Sequence, residues 1–157
     1  MNRFSKLPEL IVAPNGARKT KKDHPNLPIT ISEIVEEAEK CFKQGANAIH
    51  AHVRDKNERH TLDTGLYFEL MKELKIKVPD LPVQITTEAV GKYSPNEQFE
   101  VVKKLSPESA SVAFTEMLPD IKDYKLAKNF YKFSIDNNIQ VQHILYSFED
   151  LKDFLSN

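Results

Sequence analysis

Apolar residues follow two alternating rhythms along this chain. Short apolar runs begin near residues 9, 47, 82, 109 and 140, and each is followed by a stretch whose apolar positions lie three and four apart. The runs read as strands and the stretches as amphipathic helices. Leu10-Ile-Val-Ala13 is the first strand, ended by Pro14-Asn15-Gly16. A long loop with Pro25 and Pro28 leads to a helix capped by Thr30 or Ser32, with Ile34, Val35, Ala38, Cys41 and Phe42 on its stripe and Gly45 at its end. The second strand occupies 47–55, and Lys56-Asn-Glu-Arg-His60 reads as a polar turn that leaves His60 in solvent. A second helix runs from Leu62 or Asp63 to Ile76 on Leu66, Leu70 and Leu74. Val83 to Glu88 is the third strand, and Ser94-Pro95 opens the third helix. Ser109 to Thr115 is the fourth strand, followed by a helix from about Asp123. Gln140 to Tyr146 is the fifth, and Ser147 to Asp150 caps a last helix.

Five strand-helix units about 30 residues apart imply right-handed βαβ crossovers and a parallel sheet. Two architectures accommodate them. The length of 157 residues suits an open five-stranded doubly wound sheet, because a complete (β/α)8 barrel takes about 250. The pattern suits the barrel. Strands between helices should be apolar on both faces, yet the second strand places His50, His52 and Arg54 on one side, and the third places Gln84, Thr86 and Glu88 on one side. With four glycines in the whole chain, no glycine-rich phosphate loop follows any strand. Both stay open for residues 1–157, read as a single α/β domain: the open doubly wound sheet, or a TIM-type (β/α)8 barrel of which about five of the eight units are present.

His50 and His52 are the candidate chemistry. Residues i and i+2 on a strand lie roughly 6.6 Å apart at Cα, close enough for both imidazoles to meet one ion at metal–nitrogen bonds of about 2 Å. Arg54 is placed either to contact an anionic substrate or to order a loop with Asp55. His143 fits either an inward-pointing ligand or a satisfied core residue, and His24 is expected to pin its loop. Charge adds little, since 22 Lys+Arg against 23 Asp+Glu give a net charge of −1 and no reason to expect nucleic acid or an acidic membrane. The basic run Arg18, Lys19, Lys21, Lys22 fits either phosphate contact or a solvated loop face. Cys41, the only cysteine, is expected as a small buried hydrophobe in a reducing compartment. Without a signal-like amino terminus or a membrane-length apolar run, the expected location is the cytoplasm.

The chain resembles the β-keto acid cleavage enzyme family, best known for 3-keto-5-aminohexanoate cleavage. The resemblance rests on Ala13-Pro-Asn-Gly-Ala17, His24-Pro-Asn-Leu-Pro28, His50-Ala-His-Val-Arg-Asp55, Thr86-Thr87 and Ala110-Ser-Val, in family order. It implies a (β/α)8 barrel with a divalent metal, usually zinc, held by His50 and His52 and by a glutamate from a later strand, with Glu88, Glu116 and His143 as local substitutes. It also implies condensation of a β-keto acid with acetyl-CoA, releasing acetoacetate and a new CoA ester. Arg54, Asp55 and Glu88 are the catalytic candidates, and Asn15, Arg18, Thr86, Thr87 and Glu116 the substrate-binding ones. Two positions depart from the family pattern, Arg18 standing in place of glutamate and Glu116 in place of threonine, which suggests another substrate. The rival reading is a non-catalytic half-barrel that retains metal or ligand binding. Expected partners are the keto acid, acetyl-CoA, and either a second copy or a complementing carboxyl-terminal chain that covers the open strand edges.

Overall fold

The computed structural model describes residues 8–156. In chain order its elements are β1 (Ile11–Val12), α1 (Ile31–Lys43), β2 (Ala48–Ala51), β3 (Val53–Arg54), β4 (His60–Thr61), α2 (Thr64–Lys77) and β5 (Val83–Thr86). Then come α3 (Pro95–Leu105), β6 (Ser109–Ala113), α4 (Phe114–Met117), a 3-10 turn (Ile121–Asp123), α5 (Tyr124–Asp136), β7 (Gln140–Ile144) and α6 (Phe148–Ser156).

Five strands form one parallel sheet in the order β1-β2-β5-β6-β7. Each strand lies beside its predecessor and the order never reverses. A doubly wound sheet requires a switch point where it does, so the open-sheet alternative falls and the sheet is a half-barrel. In register, His50 stands beside Gln84, Thr86 beside Ser111 and Val112 beside His143. Two faces follow from strand alternation. Ile49, Ala51, Ile85, Ala110 and Val112 pack with Ile34 and Ala38 of α1, Leu70 and Leu74 of α2, Val102 of α3 and Phe130 of α5. The opposite face holds His50, Gln84, Ser111 and Gln142, which with Ile11 and Ile144 line an open cavity of about 270 Å³.

Local chemistry explains the helix starts. Thr30 and Ser94 close capping boxes with Glu33 and Glu97, satisfying first-turn amides that the helix leaves unpaired. Pro95, lacking an N–H, occupies the first turn of α3, where none is needed.

Several expectations are corrected. The first strand is shorter than Leu10–Ala13, and the second is interrupted at His52. Beyond the break, β3 pairs antiparallel with β4, with Arg54 opposite His60. His60 is therefore strand rather than turn and is 5% exposed, under the loop that follows β5. The strand through Ser109 stops at Ala113, where the chain enters α4 and buries Phe114 and Met117, two residues that share a helical face. Cys41 is only half-buried. His143 shares the face of Val112 and packs between Tyr131 and Phe154, with ring centroids at 5.4 and 4.5 Å. It thus points toward the helices and away from the cavity. Among the described residues no helix is long and apolar enough to cross a membrane.

Candidate active site

The site forms where β2 and β5 end. In barrels of this type the loops at the carboxyl ends of the strands carry function. His50 projects from β2 onto the cavity face, and its Nδ1 lies 2.9 Å from Gln84 Oε1. The Gln84 amide is oriented by its other end, Nε2 donating to Ser109 Oγ at 3.0 Å. Nδ1 of His50 is thereby the donor, and its Nε2 carries the lone pair. That Nε2 lies 3.1 Å from Nε2 of His52. Burial disfavours the charged form of both imidazoles: it pushes the His50 pKa below its ordinary value and, with the charges of neighbouring groups, takes that of His52 to about 2.

Asn15 accounts for the break of the strand at His52. Its Nδ2 donates to the His52 carbonyl at 2.8 Å, and its Oδ1 accepts from the His52 amide at 3.3 Å. The side chain does here what a neighbouring strand does elsewhere, so the chain turns into β3 without stranding a buried backbone group. Tyr67 adds a second brace, its buried hydroxyl lying 3.3 Å from the Thr86 carbonyl and 3.5 Å from that of Ala51.

The remaining candidates divide into two groups. Near the pair lie Thr86, whose Oγ1 accepts from the Glu88 amide at 3.0 Å and meets Ser111 Oγ at 3.4 Å, and Glu88, whose Oε2 lies 3.8 Å from His52 Nδ1. Arg18 reaches the other Glu88 oxygen at 3.8 Å. Glu116 accepts from the Ala89 amide at 2.8 Å, and burial, opposed by that hydrogen bond, raises its pKa. The second group organises loops. Arg54 donates to the carbonyls of Gly16, Lys19 and Glu58, at 2.7, 3.1 and 3.2 Å. Asp55 accepts from the Asn57 and Arg59 amides, which lowers its pKa. Thr87 is fully buried, with Oγ1 donating to the Ser111 carbonyl at 3.0 Å.

Three members of the basic run have carboxylates of the same chain within 4 Å, Arg18 beside Glu88, Lys19 beside Asp23 and Lys21 on Glu33. His24 does pin its loop, Nδ1 accepting from the Asn26 amide at 3.3 Å. Sequence reasoning missed His60, Tyr67 and the part played by Gln84. The alternation that put Gln84 on the face of Thr86 was the available signal for the last of these.

Residues 10–156 match the model of a family described as beta-keto acid cleavage enzyme. The chain belongs to that family. A 3-keto-5-aminohexanoate cleavage enzyme of Fusobacterium nucleatum is 38% identical over 72 residues, 46% of this chain and 26% of the relative. One from Acetoanaerobium sticklandii is 34% identical over 97 residues, 62% of this chain and 35% of the relative. A 3-oxoadipate:acetyl-CoA acetyltransferase of Cupriavidus necator is 29% identical over 102 residues, again 35% of its length. The chain thus spans about a third of the β-keto acid cleavage relatives it matches. Among solved structures, the ternary complex of ObcA with a C4-CoA adduct and oxalate superposes with a TM-score of 0.69 at 14% identity, covering 84% of this chain and 34% of that one. A type I 3-dehydroquinate dehydratase from Clostridium difficile gives 0.58 at 15% identity, covering 87% and 50%. Both are likenesses of fold.

Proposed function

We propose that this chain carries the metal-binding half of a site that cleaves a β-keto acid with acetyl-CoA, giving acetoacetate and a new CoA ester. The observation that supports this most directly is the convergence of His50 Nε2 and His52 Nε2, 3.1 Å apart, at the carboxyl end of β2. Two imidazole nitrogens on one tetrahedral zinc lie about 3.3 Å apart, given bonds of about 2.0–2.1 Å. Gln84 holds the His50 lone pair toward that point, as partners of metal-binding histidines do. The spacing supports His50 and His52 as two ligands of a divalent ion; among the described residues no third His, Cys, Asp or Glu completes the group.

A bound zinc ion would polarise the β-keto carbonyl as a Lewis acid. The residues themselves supply binding and order. Ser111 lines the cavity and its hydroxyl meets that of the buried Thr86; these two hydroxyls are the candidates for binding the substrate carboxylate, while Thr87 holds the strand end that presents them. Arg18, with its side chain 80% exposed, brings a positive charge to the mouth that suits an anionic substrate. Glu116 lies within electrostatic reach of it, and Glu88 stands between Arg18 and His52. Asn15, Arg54 and Asp55 keep the loop and the turn around the histidines in place.

Metal analysis of the purified protein beside a His50→Ala/His52→Ala double variant tests the site. Close to one zinc per chain is expected in the wild type and none in the variant; equal zinc in both sinks the ligand assignment. Consumption of acetyl-CoA in the presence of β-keto acids tests the reaction. A protein that binds zinc and leaves acetyl-CoA untouched supports the non-catalytic reading instead.

A further inference from the structure

The ring of His52 is held at one nitrogen only. Its Nε2 faces His50, whereas its Nδ1 is buried without a hydrogen-bond partner among the described residues, in a residue 3% exposed. The polar group that Nδ1 faces is a carboxylate, with Glu88 Oε2 at 3.8 Å. We propose that Glu88 is a positioning residue for the histidine pair: its carboxylate receives the Nδ1–H of His52 and so presents the bare Nε2 of His52 to the point that His50 Nε2 also faces. This rests on the metal reading above and extends it to a residue outside the ligand set.

Which imidazole nitrogen carries the proton is decided by the partner of the other. For His50 that partner is Gln84 Oε1. For His52 a carboxylate, which accepts and cannot donate when ionised, favours Nδ1–H. In the competing tautomer His52 Nε2–H donates to His50 Nε2, leaving Nδ1 and Oε2 as two acceptors face to face. The charge of Glu88 opposes that arrangement. A distance of 3.8 Å is too long for a hydrogen bond, but the gap can close by side-chain rotation. The Glu88 side chain is 23% exposed, and its other oxygen is held by Arg18 at the same loose 3.8 Å.

Two features separate this role from that of a third ligand. Nδ1 and Nε2 occupy opposite sides of the ring, so Glu88 stands behind His52, away from the point where the two Nε2 atoms meet. The backbone of Glu88 is also fixed on both sides, its amide donating to Thr86 Oγ1 at 3.0 Å and its carbonyl accepting from His60 Nε2 at 2.9 Å. His60, with its ring 5.2 Å from that of His52, thus braces the Glu88 main chain from which the carboxylate projects.

Zinc and cobalt(II) affinities of the wild type, E88A, E88Q and H52A, measured by competition with a chromogenic chelator and paired with thermal melts, test the assignment. E88A is expected to bind about 10–100-fold more weakly. E88Q, whose amide oxygen still accepts Nδ1–H, recovers most of that loss, and H52A loses more than E88A. In zinc-loaded wild type, ring nitrogen–proton correlation spectra should show His52 protonated at Nδ1, a signature that E88A alters. If E88A does not fold, E88D takes its place, withdrawing the carboxylate by one methylene while keeping its charge. Equal affinity in wild type and E88A overturns the role of Glu88, and a loss in E88A as large as in H52A makes it a ligand instead. A wild type that binds neither metal overturns the metal reading itself, and this inference with it.

Discussion

Gln84 shows how much a single side chain can decide. Its amide bridges Ser109 and His50, so one end is oriented by a serine and the other orients an imidazole. Gln84→Leu removes both contacts at a residue 2% exposed. The buried polar atoms it abandons should cost about 1–3 kcal/mol in a urea melt, and zinc affinity should fall by about tenfold or more. A variant that loses stability while keeping wild-type affinity would show that His50 is oriented by something else. Strand alternation made the polar face through Gln84, Thr86 and Glu88 legible in the sequence. It could not show that Gln84 meets His50, because that depends on the register of two strands 34 residues apart.

Helix α1 is the element whose start is written most locally. Thr30 accepts from the Glu33 amide, and Glu33 accepts in return from the amides of Thr30 and Ile29, with Lys21 at 2.6 Å drawing in the preceding loop. The Lys21 ammonium and these amides hold the Glu33 pKa down to about 2. A carboxylate with a depressed folded-state pKa stabilises the fold above its unfolded value and loses that contribution as pH falls through the folded one. The Glu33 contribution should therefore be complete above about pH 4.5 and vanish toward pH 2, and Glu33→Gln should flatten melting temperature against pH in that window. An unchanged profile would remove Glu33 from the acid response. Thr30→Ala should cost about 1 kcal/mol. The β3–β4 hairpin was the opposite case. Its turn, organised by Asp55 and by Glu58 at φ 62°, lies in an all-polar run, and nothing local distinguishes that from an exposed loop.

At the scale of the whole molecule, both edges of the sheet, β1 and β7, have no partner strand among the described residues. Beside β7 the surface is apolar, with Ile135 76% exposed, Tyr146 68%, Phe148 63% and Leu155 75%. Unpaired edges next to exposed apolar side chains favour association. The 157-residue chain expressed alone is expected to run in light scattering as a species larger than a monomer. Charged substitutions such as Phe148→Glu with Leu155→Glu should shift it toward monomer. A monodisperse wild-type monomer with a sharp cooperative melt would count against this.

The sequence by itself determined the five strand-helix units and their spacing, the helix caps at Thr30 and Ser94, and the alternation that brings the two histidines near one another. Each of these depends on residues a few positions apart, where periodicity and capping chemistry act. The tertiary structure alone decided the strand order that makes the sheet a half-barrel and the outward turn of His143. It also decided the burial of His60 beneath Glu88, the clip of Asn15 on the His52 backbone, and the meeting of two Nε2 atoms at 3.1 Å. These are contacts between distant segments, fixed by sheet register and packing, and no local pattern encodes them.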